Sequence, residues 1–341
     1  MGQTRAVSLL QRGLERGQLS HAYLLAGPPH VGKMTLALNL AQALNCTGQA
    51  PPCGECLPCQ KIASGRHADV AVVGLAGGEK SAEGKGRAEI GIDQIREVQH
   101  STSFPPFEGR CRVVILEGAE LISTEAANSL LKTLEEPVGR VVFVLLTTNE
   151  KLLPATVVSR CQLLKLFPLA VAEVEEALQS RWGVEKMKAG LVARLSHGAL
   201  GWAVSAAGAP ALLEQRRERI AQMTEVISGD YGERFGYAYQ LASEFSQSRS
   251  TVLELLELWR DWWRDLMLVK LGCREAVTGA DQLPWLEEVA PRYRLGEVRE
   301  VIRAVGEAGE QLRQNASPRL ALEVLMLSIP RKEERGGRAT T

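Results

Sequence analysis

The chain has 341 residues, enough for about two or three domains at the usual ~100–200 residues each. Its 40 basic and 40 acidic residues cancel, so no global field draws it to DNA or to anionic lipid. The sequence has no run of roughly eighteen apolar residues, residues 1–12 lack a signal-peptide core, and seven cysteines, an odd number, favour reduced thiols. We therefore expect a cytoplasmic protein without a membrane contact.

Strands alternate with helices in the first half of the chain. Apolar runs bounded by charge or glycine predict buried parallel strands. This alternation indicates a parallel α/β sheet, whereas from Pro168 onward amphipathic helices with almost no strand signal indicate an all-α region. In chain order the predictions are a helix over 5–18, a strand over Ala22–Ala26, a helix over Lys33–Leu44, a helical piece over Gln60–Ser64, a strand over Val70–Val73, a surface loop over Gly74–Arg87, a helix from its N-cap Asp93 to His100, a strand over Arg112–Leu116, a helix over Ser123–Glu135, a strand over Val141–Leu146, a helical piece over Leu152–Val158 and an apolar run over Leu163–Phe167.

The loop between the first strand and its helix has the spacing of a P-loop. Gly27-x4-Gly32-Lys33 fits the pattern G-x-x-x-x-G-K-[ST], whose backbone N–H groups and helix N-terminus surround nucleotide phosphates. The last position should carry a hydroxyl for Mg²⁺, and it holds Met34. Thr35 cannot simply take over, because one residue further along a helix turns the side chain by roughly 100°. The motif predicts an impaired nucleotide site, and whether it still binds ATP stays open.

An acidic pair is expected after the strand over Arg112–Leu116, where one carboxylate reaches Mg²⁺ and a second one activates water. Glu117 stands at the first of these positions, with a side chain longer than is ideal. Gly118 stands at the second position, and glycine can do no proton chemistry. Glu117 is thus either a metal-binding carboxylate or a solvated residue at a strand end, and both alternatives stay open.

Four cysteines in a short segment predict a structural zinc site. Cys46 is followed by Cys53-x2-Cys56-x2-Cys59, and four thiolates complete a tetrahedral shell around Zn²⁺. Because no position is left for a catalytic water, the site should be structural. Unmetallated cysteines or a redox pair are the weaker alternatives, since redox pairs come as two cysteines. His67, nearby in sequence, is predicted to be a surface or capping residue and not a ligand.

The tripeptide Ser159-Arg160-Cys161 lies between the helical piece and the last apolar run. An arginine in a loop is most often a solvated charge or part of a surface salt bridge. The functional alternative is an arginine finger, a planar cation directed at the γ-phosphate of a neighbouring subunit. A tripeptide alone does not decide between them.

A tryptophan-rich helix is predicted over Leu256–Val269 in the all-α region. Trp259, Trp262 and Trp263 recur at three-and-four spacing, with arginines and aspartates on the other side. This pattern favours packing in a core over stacking on nucleic-acid bases. The remaining cysteines are predicted to be small buried residues without redox function: Cys111, Cys161 and Cys273.

Taken together, these motifs resemble the clamp-loader ATPases of bacterial DNA polymerase III. The resemblance runs from about residue 5 to 205, and it is specific because several motifs occur in one order. They are Leu19-Ser20-His21-Ala22-Tyr23-Leu24, the P-loop, the four cysteines, Asn128–Pro137 (NSLLKTLEEP) and Ser159-Arg160-Cys161-Gln162, with a weaker continuation at Asn315–Glu323.

The resemblance implies a three-domain AAA+ subunit. Its parts are a nucleotide-fold domain over 1–167 with a zinc module at 46–59, a small helical lid over 168–208, a helical collar domain over 209–330 and a disordered tail over 331–341. It also implies that Arg160, flanked by Ser159 and Cys161, acts in trans on ATP bound to an adjacent gamma/tau subunit. The segment Leu130–Pro137 would lie in the central region that faces other subunits and DNA. Active members carry an arginine in the lid, and Trp202 stands at the corresponding place here.

Three departures from the active pattern point the same way. Met34, Gly118 and Trp202 would deprive an ATPase of its Mg²⁺ ligand, its base and a phosphate sensor, whereas Arg160 is intact. The resemblance thus implies a non-hydrolysing subunit of a hetero-pentamer with gamma/tau and delta subunits, which acts with the sliding clamp on primed DNA at the nucleoid. The alternatives are an active gamma/tau-type ATPase and a nucleic-acid-binding module, the latter disfavoured by zero net charge.

Overall fold

The computed structural model describes residues 2–75, 89–135, 139–314 and 316–331. The strands are β1 (Ala22–Ala26), β2 (Val70–Val73), β3 (Arg112–Glu117), β4 (Val141–Thr147) and β5 (Gln162–Lys165). The helices are α1 (Thr4–Glu15), α2 (Lys33–Asn45), α3 (Leu57–Ala63), α4 (Ile92–Thr102), α5 (Thr124–Glu135), α6 (Ala155–Val158), α7 (Val171–Trp182), α8 (Lys186–Leu195), α9 (Leu200–Gly208), α10 (Pro210–Ser228), α11 (Tyr231–Gln247), α12 (Arg249–Lys270), α13 (Leu283–Val289), α14 (Leu295–Arg313) and α15 (Pro318–Ser328). The predicted order, α/β first and all-α afterwards, is confirmed.

All five strands form one parallel sheet in the order β2-β3-β4-β1-β5. β1 and β4 are buried along their whole length, which explains their almost continuous apolar sequences. Side chains alternate between the two faces of a strand. Tyr23 and Leu25 therefore join the apolar cluster on one face, and Ala22 and Leu24 join the cluster on the other.

The register determines which segments meet at each edge of the sheet. Ala26 pairs with Thr147 and Lys165, so β1, β4 and β5 end close to one level. Segments that follow the strands therefore meet at the carboxyl edge, and segments that precede the strands meet at the amino edge. The P-loop follows β1 and lies at the carboxyl edge. Arg160 precedes β5 and lies at the amino edge.

Two local predictions are wrong. α4 begins at Ile92 with Gly91 as its N-cap, and the Gln94 side chain accepts a hydrogen bond from the Gly91 N–H at 3.2 Å. Asp93 is therefore not the N-cap but lies in the first turn, where its charge still favours the helix. Cys273 follows the end of α12 and is exposed, while Cys111 is buried and Cys161 partly buried.

The chain divides into two compact units, Met1–Ala177 with Ser196–Ala203 and Leu178–Leu195 with Val204–Thr341. The first unit contains the sheet, and the second consists of helices. The division into three domains stays a prediction. Most of the predicted loop over Gly74–Arg87 and the predicted tail beyond Arg331 lie outside the described residues. Within the described ranges, no helix is both long enough and apolar enough to cross a membrane.

The tryptophans of α12 belong to the core of the second unit. Trp259, Trp262 and Trp263 are at most 2% exposed. The Trp259 ring stacks on Tyr237 with centroids 6.1 Å apart, and Trp263 meets Tyr293 edge to face at 5.0 Å. The prediction of core packing is confirmed. Rings that are covered by their own chain cannot stack on nucleic-acid bases.

A buried arginine joins the ends of two helices in the second unit. Arg234 in α11 is 0% exposed. Its guanidinium donates to the carbonyls of Ile329 at 2.7 Å and Met326 at 3.4 Å, at the end of α15, and to that of Ile227 in the last turn of α10. Helix C-termini carry unpaired carbonyls and a partial negative charge, so one cation can satisfy both ends without a carboxylate.

Replacing Arg234 by leucine should lower the free energy of unfolding by about 3 kcal/mol, because several buried carbonyls lose their donor. Urea unfolding followed by tryptophan fluorescence measures this change, since the buried tryptophans lie in the same unit. Arg319→Leu is the matched control. Arg319 is exposed and pairs with Glu323 one turn along α15, so its loss should change the free energy of unfolding much less than that of Arg234. Equal effects of the two substitutions would contradict the role of Arg234.

Candidate functional site

The backbone of the P-loop is fixed by two neighbouring segments. Gly27 lies so close to the Leu166 carbonyl that a Cβ atom would stand 2.5 Å from its oxygen, so only glycine fits there. His30 has a left-handed φ of 57°, which is uncommon for a residue other than glycine. The carbonyl of His30 accepts a hydrogen bond from the Gly201 N–H at 3.1 Å. This bond places the start of α9, which contains Trp202, beside the loop.

The lysine of the loop turns back onto the loop's own carbonyls. Lys33 Nζ donates to the Gly27 oxygen at 2.5 Å and to the Pro28 oxygen at 2.8 Å. Burial lowers the pKa of Lys33, while the nearby carboxylates of Glu120 and Glu117 act in the opposite direction. Two of the three donors of the amine thus bond to the chain itself, in the region where a P-loop lysine meets phosphate.

The residue at the Mg²⁺ position belongs to the apolar core. Met34 is partly buried and packs against the cluster that includes Leu25 and Val31. Thr35, the next residue, is exposed. A thioether in an apolar cluster is a poor ligand for Mg²⁺, which prefers oxygen.

Two carboxylates stand near the lysine, and the sequence analysis identified only one of them. Glu117 is exposed at the end of β3, and Gly118 turns the chain with a left-handed φ of 70°, a conformation that favours glycine. Glu120 follows in a short 3-10 turn, and its carboxylate accepts from the N–H of Thr148 at 3.1 Å and from its hydroxyl at 2.6 Å. The three-residue spacing from Glu117 was the signal that could have revealed Glu120.

The tripeptide with Arg160 lies at the other edge of the sheet. Its Nε donates to Glu135 Oε1 at 2.7 Å, Nη2 donates to the same oxygen, and Nη1 donates to the Thr156 carbonyl at 2.8 Å. The Arg160 side chain is 32% exposed. The Ser159 hydroxyl donates to the Thr156 carbonyl, and burial raises the pKa of Cys161 to about 11. The structure therefore brings together Gly27, Gly32, Lys33, Thr35 and Glu117, and separates them from Ser159, Arg160 and Cys161.

The four cysteines converge on one point. Their sulfur atoms all lie within 4.8 Å of one another, and those of Cys46 and Cys56 are 3.9 Å apart. N–H groups of Cys53 and Gly48 donate to the Cys46 sulfur and lower the pKa of Cys46, and N–H groups of Thr47 and Cys59 lower that of Cys56 to about 5. Burial raises the pKa of Cys59 to about 12, so its thiol holds a proton that a bound metal would displace. The donor set fits a metal ion.

A buried aspartate fixes the loop that precedes β3. Asp69 accepts from the N–H groups of Phe107, Glu108 and Gly109 at 2.7–2.8 Å, and from Arg112 Nη2 at 3.1 Å. Burial raises the pKa of Asp69, but the three N–H groups and the guanidinium outweigh it, so the pKa lies below its ordinary value of about 3.8.

The same loop is connected to the cysteine segment. Glu108 forms an ion pair with Lys61 of α3, the helix that begins beside the cysteines. His67 is only 4% exposed, and its Nδ1 accepts from the Asp69 N–H at 3.1 Å. The prediction of His67 as a surface residue is therefore wrong. The other half of that prediction, a capping residue, agrees better with the hydrogen bond that His67 accepts from the Asp69 N–H. Long-range burial of this kind leaves no local pattern in the sequence.

A loop with P-loop spacing follows the first strand of a parallel sheet, and a four-cysteine insert that could hold a metal ion follows the next helix. Together they define an α/β protein of the P-loop type with helices after the sheet. Comparison with known proteins identifies the family to which the chain is similar. The family described as "DNA polymerase III, delta subunit" matches residues 2–170. DNA polymerase III subunit delta' of Bacillus subtilis (strain 168) is 29% identical over 328 residues, which cover 96% of each chain.

A further relative and a solved structure are also similar to this chain. DNA polymerase III subunit tau of Escherichia coli (strain K12) is 35% identical over 181 residues, which cover 52% of this chain and 26% of that one. The crystal structure of a DNA polymerase III gamma subunit-related protein from Thermotoga maritima covers 93% of this chain and 97% of that one, at 17% identity and a TM-score of 0.42. On the sequence matches, the chain belongs to the clamp-loader family of DNA polymerase III, which includes the delta-prime, gamma and tau subunits.

Replacing Asp69 by asparagine should lower the free energy of unfolding at pH 7 by about 2–3 kcal/mol, because an amide nitrogen would face N–H donors. The pKa of Asp69 is depressed in the folded state, so its stabilisation is present at neutral pH and is lost as pH falls through the folded pKa, below about 3.8. The difference between the urea midpoints of the two proteins should therefore be full at pH 7 and should begin to shrink as the pH is lowered below about 3.8. Asp93→Asn, at an exposed position of α4, should shift the midpoint little at any pH.

Proposed function

We propose that the chain is a delta-prime-type clamp-loader subunit, a non-hydrolysing AAA+ protein that supplies Arg160 in trans to ATP on an adjacent gamma/tau subunit. It would help to open the sliding clamp and to load it on primed DNA. The observation that carries this proposal is the distance between an intact arginine and an impaired phosphate loop, which lie at opposite ends of the strands.

The parallel register supports a role for Arg160 in trans. Gln162 pairs with Tyr23, so Arg160 is level with His21, at the amino edge, while Gly27 follows β1 at the carboxyl edge. At about 3.3 Å per residue these levels lie roughly 20 Å apart. This separation exceeds the length of an arginine side chain. If Arg160 stabilises the charge of a transferring phosphoryl group, the nucleotide must belong to another chain.

The geometry of the P-loop supports the absence of hydrolysis by this chain. Met34 packs in the core, Gly118 carries no side chain, and Lys33 bonds to its own loop. The alternative is a gamma/tau-type ATPase that still turns over. Magnesium-dependent ATP hydrolysis by the pure chain, abolished by Lys33→Ala, would establish that alternative and overturn the proposal.

The partners follow from the proposed role. The chain would join gamma/tau and delta subunits in a hetero-pentamer, and contact with primed DNA and the sliding clamp would arise in that assembly at the nucleoid, in the cytoplasm. A nucleic-acid-binding module working alone is less well supported, because the net charge is zero and the three tryptophans of α12 are buried.

We infer that the metal of the cysteine cluster is Zn²⁺. At a Zn–S distance of about 2.3 Å, the sulfurs of a tetrahedral site lie roughly 3.8 Å apart, close to the spacing of Cys46 and Cys56. Four sulfur donors leave no position for a reactive water, so the ion would only fix the segment between α2 and α3.

The purified chain should contain about one equivalent of zinc. Cys59→Ser should lose the metal and lower the thermal midpoint, because Cys59 is fully buried within the cluster. Cys273→Ser, which changes an exposed cysteine of the other unit, should leave both properties unchanged. Elemental analysis together with thermal unfolding tests this, and a carefully purified sample without zinc would refute the site.

Arg160→Ala should leave folding intact and slow the DNA-stimulated ATPase of the reconstituted loader by about threefold or more. This is less than the 10³–10⁵ that a finger contributes at one site, because the remaining ATP sites keep their own arginines. Arg140→Ala, an exposed arginine at the same edge of the sheet, is the matched control and should retain the wild-type rate. An unchanged rate in Arg160→Ala, or an equal loss in both variants, would contradict the role in trans.

A further inference from the structure

The guanidinium of Arg160 is oriented by its own chain. Nε and Nη2 share one oxygen of Glu135, at 2.7 Å for Nε, and Nη1 donates to the Thr156 carbonyl at 2.8 Å. These contacts approach the planar group from two sides and therefore determine its plane. Nη2 has a second N–H that these contacts do not use.

The carboxylate that orients Arg160 is itself fixed to the sheet. Glu135 is the last residue of α5, and the carbonyl before it, that of Leu134, accepts a hydrogen bond from His21 Nε2 at 2.7 Å. His21 directly precedes β1. The end of α5 is thus attached to the amino edge of the sheet, where Arg160 also lies.

We propose that Glu135 is a positioning residue for Arg160, and that His21 anchors the helix end that carries it. This inference rests on the proposed role of Arg160 in trans. Glu135 would not touch the neighbouring nucleotide. It would hold the guanidinium plane in one orientation before the neighbouring subunit arrives, so that less side-chain freedom is lost when the arginine meets phosphate.

The exposure of the Arg160–Glu135 ion pair shows whether Glu135 orients the arginine or holds it back from a nucleotide. The side chains of Arg160 and Glu135 are 32% and 48% exposed, and ion pairs at such positions are weak. A weak pair cannot withhold an arginine from a triphosphate of higher charge, but it can bias the rotamers that the arginine samples. The expected contribution is therefore modest and favourable to the reaction.

Glu135→Ala should lower the turnover number of the DNA-stimulated ATPase of the reconstituted loader by about two- to fivefold, with the half-saturating ATP concentration unchanged. Glu135→Gln keeps an oxygen of the same reach and should lie between Glu135→Ala and the wild type. Glu125→Gln, an exposed glutamate in the first turn of the same helix, is the matched control for loss of a charge. Thermal midpoints of the variants should agree with that of the wild type.

The decisive measurement repeats Glu135→Ala in the Arg160→Ala background. If Glu135 acts through Arg160, the double variant is no slower than Arg160→Ala alone. A full rate in Glu135→Ala while Arg160→Ala is slow would refute the positioning role and leave the role of Arg160 standing. A faster rate in Glu135→Ala would show that Glu135 holds Arg160 back from the nucleotide. An additive loss in the double variant would show that Glu135 acts independently of Arg160. Either result would overturn the inference. A full rate in Arg160→Ala would refute both proposals.

Discussion

The parallel direction of all five strands is the constraint on which the arrangement of this protein depends. In a parallel sheet every segment that follows a strand lies at one edge and every segment that precedes one lies at the other. The P-loop, Glu117 and Thr148 therefore share the carboxyl edge, whereas His21, Glu135 and Arg160 share the amino edge. One subunit thus has two chemically different edges, and no short movement of a side chain connects them. Within one chain, Arg160 therefore cannot reach a group that is held by the P-loop.

The cations at the two edges of the sheet have different contacts. At the carboxyl edge Lys33 bonds to carbonyls of its own loop, and Met34 packs in the core. At the amino edge Arg160 is partly exposed and keeps an N–H that its contacts with Glu135 and Thr156 do not use. Catalysis depends on charges that are directed at a reacting group. Lys33 is directed at its own loop, whereas Arg160, although it is paired with Glu135, is partly exposed and fits the role in trans proposed above.

Features that depend on local spacing could be predicted from the sequence, and features that depend on distant contacts could not. β1, the P-loop and the four cysteines are each encoded within about fifteen residues, and the structure places them as predicted. The burial of His67, by contrast, depends on Asp69 and the loop that it fixes some forty residues later. The prediction of Asp93 as the N-cap of α4 is wrong. Aspartate is a good N-cap in general, but here the side chain of Gln94 accepts from the Gly91 N–H and the helix starts after Gly91. The contact of Glu135 with Arg160 has no local signal in the sequence, because the two residues lie 25 positions apart.

The contacts of the P-loop give its glycine and lysine a structural role that does not depend on the proposed loss of ATP hydrolysis. Gly27 must remain glycine because the Leu166 carbonyl occupies the space of a side chain, and this contact joins the end of β1 to the segment after β5. Lys33 links the start of α2 to the carbonyls of Gly27 and Pro28, which closes the loop with two hydrogen bonds. Gly27 and Lys33, which belong to the nucleotide-binding pattern, are therefore also the residues that fix the conformation of this loop. Met34 instead packs against the apolar core. A hydroxyl at this position would be needed only for Mg²⁺, so an apolar side chain there keeps the loop intact and adds buried apolar area.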